Sequence, residues 1–411
     1  MPRPVYLIGA ARTDFRRNLR KEGKTLRDVI VEAGRGAIAD AGISPADVQS
    51  GVVGNFAGGL FTQQLHLGSF LTDVDDSLRG IPTLHVEAAC ASGGAAVLTA
   101  AQQIIGGMHE VVLVVGVEQQ KTMSPADGAD VLGAAADFAA EKAEFGQFMF
   151  PKLFGKIARE YARRYPLSER DLATVAVKNY AHAQLNPQAQ MREMELTLDA
   201  ALGESAANPM IAPPLKITDC SQITDGAAAI VLCSERFAEK LARPHRIALR
   251  GFGWTTDHLP FSAKDVLTFS IVRKSAAQAY ERAGLLPGDI DGADVHDCFS
   301  ISEILAYEIL GFADPGAGPA LLRSGATMLP IARNRLGLRG TNKHLPVNPG
   351  GGLIGDGHPV GATGVRQVVE AFRQLTATAG DRQIPDAKNY LTFNMGGTMT
   401  TNITTIWSNT G

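Results

Sequence analysis

Aromatic residues are scarce in this chain, at 6% of the sequence, and neither sign of charge dominates: 39 Lys and Arg against 42 Asp and Glu leave a formal charge of -3. Single-strand binders stack bases on aromatic rings, and partners of a duplex or an acidic membrane carry a basic surplus, so composition argues against all three. Cysteine is equally sparse. Cys90, Cys220, Cys233 and Cys298 show no CxxC spacing, which argues against a disulfide framework or a zinc knuckle and fits reduced thiols in a cytoplasmic enzyme. The longest purely apolar run lies near "VVLVVGV", far below the ~20 residues that span a bilayer. The opening "MPRPVYLIGAARTDF" lacks the core of a secretory leader, and the final "SNTG" is no peroxisomal tripeptide. The expectation is an intracellular protein with no membrane or nucleic-acid partner.

What the chain does have is a sizeable apolar content, 45% over 411 residues, and a repeat. Residues 41–53 read "AGISPADVQSGVV" and residues 283–295 read "AGLLPGDIDGADV"; Ala41, Gly42, Pro45, Asp47 and Val53 recur as Ala283, Gly284, Pro287, Asp289 and Val295 at a constant offset of 242. Each copy follows an amphipathic helical pattern, with Gly to end the helix, Pro-x-Asp to shape the turn and an apolar strand beyond. A second pair follows. "CASGGAAVLTAAQQI" (90–104) and "HPVGATGVRQVVEAF" (358–372) each pass from a small, glycine-rich turn into a helix, Gly93 and Val97 matching Gly361 and Val365. Two doubly apolar runs come after each, "EVVLVVGVE" and "GAAAIVL", then "KNYLTFNMG" and "TTNITTIW". Such runs predict strands buried on both faces. The expected fold class is α/β: two related halves, 1–243 and 244–411, each with a mostly parallel sheet covered by helices. A mainly helical insertion, about 121–216, interrupts the first half as a candidate substrate cap or oligomer contact.

The repeat puts Cys90 and His358 at equivalent points, each where a turn opens a helix. If the halves pack about a pseudo-twofold axis, the two helix starts converge. A helix N-terminus favours thiolate, a neighbouring imidazole can take the thiol proton, and the surrounding glycines let backbone N–H groups approach an oxyanion. The alternative for Cys90 is a buried structural cysteine. Cys298, in "ADVHDCFSISEILAYEIL" (293–310), is on its surroundings alone either a core residue or a reactive thiol. Cys220 and Cys233 flank "TDGAAAIVL" and read as core. Glu118 ends a strand and either orients a loop or bonds backbone. His85 reads as a structural strand histidine. The basic "REYARRY" (159–165) is either a solvated helix face or a contact for phosphates. No His/Asp/Glu cluster has metal-ligand spacing, and "GGLIGDG" lacks the lysine of a phosphate loop.

Three stretches together resemble the thiolase superfamily: "VEAACASGGAAV" around Cys90, "HDCF" at 296–299 and "GGLIGDGHPVGATG" at 351–364. "HDCF" resembles the sterol-carrier-protein type, and the likeness runs over nearly the whole chain. It implies the five-layered thiolase fold of two pseudo-symmetric halves. It also implies an acyl-coenzyme A C-acyltransferase that cleaves 3-ketoacyl-coenzyme A with free coenzyme A, or runs the reverse Claisen condensation. Most thiolases carry a second reactive cysteine in a late Cys-x-Gly loop. Here that place reads "FNMGGTMTT", with Asn394, which cannot titrate. The resemblance therefore assigns the acid/base role to Cys298.

By the same likeness His358 activates the nucleophile Cys90. His296 and His358 serve one oxyanion, while the N–H groups of Cys90 and of Gly396 or Gly397 serve the other. Coenzyme A is a substrate, no cofactor is held permanently and no metal is expected. A homodimer or tetramer is expected, and a small zinc-containing partner subunit is open. No appended lipid-transfer domain is expected after 411. Two other readings stay open: a ketosynthase-like condensing enzyme, and a non-catalytic acyl-coenzyme A-binding subunit. Substrate-binding residues and acyl chain length are not legible.

Overall fold

A computed structural model describes residues 3–241, 244–339 and 344–411. The expected division at 243/244 falls against residues 242–243, which lie outside the described residues.

The repeated segments take the same local form twice. Helix α1 (Leu26–Ala41) starts at a Thr25–Asp28 capping box and stops at Gly42, φ 60°. A 3-10 turn at Pro45–Asp47 and strand Ser50–Gly54 follow. In the second copy a helix at Ser270–Ala283 stops at Gly284, φ 66°, before a turn at Pro287–Asp289 and strand Gly292–Asp294. Both glycines are left-handed, a conformation that a Cβ disfavours, so glycine ends the helix in each copy.

Nine strands form one sheet: β1 (Val5–Arg12), β2 (Ser50–Gly54), β3 (Thr83–Val86), β4 (Val111–Glu118), β5 (Gly226–Ser234), β6 (Ile247–Thr256), β7 (Gly292–Asp294), β8 (Asn389–Gly396) and β9 (Thr401–Asn409). Their order is β3-β2-β4-β5-β1-β6-β9-β8-β7. The run β2-β4-β5-β1 is thus mirrored by β7-β8-β9-β6. The halves meet at a short antiparallel contact, Tyr6 opposite Ala248 and Leu7 opposite Ile247.

The expectation of mostly parallel sheets is corrected. β2 runs parallel to β3 and β4, and β7 to β8, but β4–β5, β5–β1, β8–β9 and β9–β6 are antiparallel. Apolar runs report burial on both faces and not strand direction. β8 and β9, joined by only four residues, could pair in no other sense.

Both faces are buried because helices cover both. In β4, Val111, Leu113, Val115 and Val117 belong to a core with α1, while Val112 and Val114 face a second core. That second core holds α2 (Ser92–Ile105) and the late helix Thr363–Leu375, which pack on each other between the halves. The Ser270–Ala283 helix covers β6 and β9 from outside. This is a five-layer order. The central helices cross at glycines: a Cβ on Gly93 would lie 2.8 Å from the Gly364 nitrogen, and one on Gly364 2.2 Å from that of Gly94. Only residues without side chains allow that approach, which brings the two helix starts together.

The insertion is helical as expected, with α3 (Met149–Arg164) and α4 (Glu169–Ala183) its longest pieces. Every residue of α4 from Asp171 to Ala183 is buried, so this part of the insertion is built into the core. In "REYARRY", Arg163 pairs with Glu160, Arg164 lies over the Tyr165 ring and Arg159 donates to the Pro213 carbonyl. Numbering onward, α5 is Ser270–Ala283, α6 is Ser300–Ile309 and α7 is Thr363–Leu375.

Candidate active site

The turn before α2 is strained. Ala89 sits at φ 51°, and the Ser92 hydroxyl accepts from the Ala88 N–H at 2.9 Å while donating to the Ala89 carbonyl at 2.6 Å. A left-handed alanine costs on the order of 1 kcal/mol or more. Cys90, the next residue, keeps part of its surface exposed, although its thiol lies in surroundings that desolvate it.

The turn before α7 is held by hydrogen bonds. The His358 N–H donates to Thr224 Oγ1 at 3.0 Å, and its Nδ1 lies 2.6 Å from Thr363 Oγ1. Glu118 accepts the Gly361 N–H at 3.0 Å and those of Phe56 and Ala57, with Asn55 Nδ2 as a further donor at 2.8 Å. It is the loop-orienting residue that strand-end position allowed. Burial pushes its carboxyl up to about 7 against those amides. His85 lies on β3 with Nε2 3.3 Å from the Asn55 carbonyl oxygen.

Each residue of the His-Asp-Cys-Phe loop has a separate task. His296 stands edge-on to His358, ring centroids 5.0 Å apart. Asp297 accepts from Leu353 N at 2.7 Å, Ile354 N at 3.3 Å and Asn179 Nδ2 at 2.7 Å. It thereby holds the start of the Gly352–Gly355 turn, where a Cβ on Gly352 (φ 62°) would strike the carboxylate. Cys298 is buried 3.8 Å from Ser302 Oγ, and Phe299 stacks on Phe154 of α3 at 4.6 Å. Beneath the loop, Lys178 pairs with Glu303, and Asn179 and Asn348 each donate to Glu303 at 2.8 Å.

The Cys90 sulfur, one ring nitrogen of His296 and one of His358 lie within 4.8 Å of one another. Cys298 stands outside that triplet. It senses Cys90 nonetheless, since after burial the Cys90 thiol contributes most to raising the Cys298 pKa. Cysteine with two imidazoles is also a zinc-type donor set, which sequence spacing could not show. At Cys90 backbone N–H groups favour the thiolate but do not prevail. Burial wins and pushes the thiol up to about 12, although the Gly397 N–H bonds to it. Burial also lowers His358 to about 3 and His296 well below 6.5. The resting site is therefore a neutral thiol between neutral imidazoles.

Gly396 lies against the nucleophile turn, where a Cβ would meet the Ala88 oxygen at 2.3 Å; Gly397 sits at φ 62°. Cys220 and Cys233 are core, Cys220 in the same cluster as Cys298. The sequence reading missed Asn179, Lys178, Thr363 and the contacts of Asn394. A polar Lys-Asn pair inside the otherwise apolar "ATVAVKNYAHA" was the available signal for the first two.

Two α/β halves bring a cysteine and a histidine from equivalent helix starts onto one point, an arrangement that fits an acyl-transfer enzyme. Residues 5–236 match the family "Thiolase, N-terminal domain", and residues 253–409 match "Thiolase C-terminal domain-like". The acetyl-CoA acetyltransferase of Methanothermobacter thermautotrophicus is 37% identical over 96% of this chain and 97% of that protein. Human sterol carrier protein 2 is 33% identical over 96% of this chain and 70% of its own length. Among solved structures, the Ltp2-ChsH2(DUF35) aldolase superposes with a TM-score of 0.79 at 24% identity, covering 99% of this chain and 98% of that one. Human mitochondrial 3-ketoacyl-CoA thiolase in complex with CoA gives 0.71 at 19% identity, covering 100% and 98%. The chain belongs to the thiolase family, and it is an acyltransferase of that type.

Proposed function

We propose that the protein transfers acyl groups between coenzyme A thioesters through an acyl-Cys90 intermediate, cleaving 3-ketoacyl-coenzyme A or forming it by condensation. The observation that carries this reading is the convergence of Cys90, His296 and His358 within 4.8 Å. In the cleavage direction His358 takes the Cys90 proton as sulfur attacks the 3-keto carbon. The C2–C3 bond breaks, its electron pair passes to an acetyl-coenzyme A enolate, and the Cys298 S–H protonates C2. The Cys298 thiolate then takes the proton of a second coenzyme A thiol, whose sulfur attacks the acyl carbon, and Cys90 leaves and recovers its proton from His358. His296 and His358 stabilise one oxygen, and the N–H groups of Cys90 and Gly397, with Gly396 shaping the turn, the other.

Coenzyme A enters as substrate, and the reading needs no permanent cofactor. The chain works as two halves divided near 243/244, as a homodimer or tetramer, in the cytoplasm. No described helix is long and apolar enough to cross a membrane. A second arrangement has one specific support: the Ltp2 neighbour is solved together with ChsH2(DUF35). It would add a small zinc-containing partner subunit to this chain. The deciding experiment is thiolysis by the purified chain of 3-ketoacyl-coenzyme A substrates from acetoacetyl to long and branched chains. Turnover identifies the substrate length. No turnover on any of them, alone or with a candidate partner, would leave an acyl-coenzyme A-binding subunit as the reading.

A further inference from the structure

We propose that Asn394 fixes the proton of His296 on Nε2, so that the two histidines facing Cys90 hold opposite tautomers. The amide cannot be reversed. Its Oδ1 accepts the Gly94 N–H at 3.1 Å, and its Nδ2 donates to the Cys90 carbonyl at 3.0 Å. Backbone donors and acceptors do not exchange roles, so the second Nδ2 hydrogen has one place to go, His296 Nδ1 at 3.1 Å. That nitrogen is the acceptor and Nε2 carries the hydrogen.

His358 is set the other way. Thr363 Oγ1 donates to the Pro359 carbonyl at 3.1 Å and accepts from His358 Nδ1 at 2.6 Å, leaving a lone pair on Nε2. One imidazole can take the thiol proton, and its neighbour offers a hydrogen bond to the substrate oxygen before any charge develops. Burial keeps both rings neutral, so the tautomers are not averaged by protonation.

Asn394 is thus a positioning residue. It reaches the nucleophile turn, the start of α2 and the oxyanion histidine with one amide. The position where most thiolases carry a second cysteine is filled by a group that could not do its work if it titrated. The inference rests on the thiolase reading for its meaning, but not for its test.

The test is long-range proton–nitrogen correlation NMR of histidine-labelled protein near pH 8, with His296→Gln and His358→Gln used only for assignment. The expected result is Nε2–H at His296 and Nδ1–H at His358; Nδ1–H at His296 would overturn the proposal. In Asn394→Ala the His296 signals should move toward a mixed tautomer, and kcat should fall roughly tenfold with KM little changed. An unmoved Nε2–H signal in that variant would assign the tautomer to something else. If the variant does not fold, the wild-type spectrum alone decides. A chain with the expected tautomers and no thiolysis would sink the functional reading and leave this one standing.

Discussion

The turn that opens α2 and the turn that opens α7 occupy equivalent places in the two halves, yet they hold their side chains in different ways. At the first, Ala89 takes a left-handed backbone conformation and Cys90, which follows it, is partly exposed. At the second, His358 is only 7% exposed and is tied at its amide to Thr224 and at its ring to Thr363. In the proposed chemistry Cys90 is the nucleophile, which has to form a new bond, and His358 the base, which must present one ring nitrogen while the other is tied to Thr363. The two equivalent places differ in their surroundings, and those surroundings suit the two proposed tasks.

The largest expected effect removes one side of that contrast. Cys90→Ala should abolish the covalent acyl adduct and lower kcat by roughly 10⁴-fold or more. Mass spectrometry after mixing with an acyl-coenzyme A reads the adduct directly, and an adduct that persists would place the nucleophile elsewhere.

Cys298→Ala sharpens the comparison. Acylation of Cys90 by a simple acyl-coenzyme A should continue, while carbon–carbon cleavage falls by about 10²-fold or more. Rapid-quench assays of the two half-reactions separate them. Cleavage at the wild-type rate would return Cys298 to the core.

Asp297→Ala probes what holds the second turn's approach. It leaves Leu353 N–H, Ile354 N–H and Asn179 Nδ2 without their acceptor, so stability should drop by about 3 kcal/mol. An unchanged urea midpoint would mean that the Gly352–Gly355 turn is held by other contacts.

The smallest effect is a slope. His182 is buried with Nδ1 2.9 Å from the Asn348 carbonyl oxygen and Nε2 accepting the Leu329 N–H at 3.0 Å. Burial lowers its pKa from 6.5 to about 3. Between those values the unfolded chain binds the extra proton, so this contribution is complete above about pH 6.5. It is lost as the pH falls, by at most about 1.4 kcal/mol per unit. Glu118, raised from 4.5 to about 7, acts in the opposite sense: its share is complete below 4.5 and fades as the pH rises through 7. His182→Gln should flatten the acid side of a denaturation-versus-pH curve, and an identical slope would assign acid sensitivity to other groups.

Much of this protein was legible in its residues. Gly42 and Gly284, with the Pro-x-Asp turns that follow, are local signals, and local backbone preference acts wherever the chain lies. Apolar runs buried on two faces announced strands between helices. Cys90 and His358 could be paired because a duplicated chain carries its own alignment. Strand direction was not legible, since a run of apolar residues has the same pattern whichever way its neighbour points.

The thiol pKa is not legible in sequence, because it depends on how much water the fold removes, and here that outweighs the backbone N–H groups that favour thiolate. Asn394 looked only like the loss of a titrating group. Its use lies in three contacts, to Cys90, Gly94 and His296, that sequence places 304, 300 and 98 residues away. The sequence by itself determined which elements form and which side chains are available for chemistry. Tertiary structure alone decided protonation, tautomer and orientation, because these are set by burial and by hydrogen-bond partners brought together from distant parts of the chain.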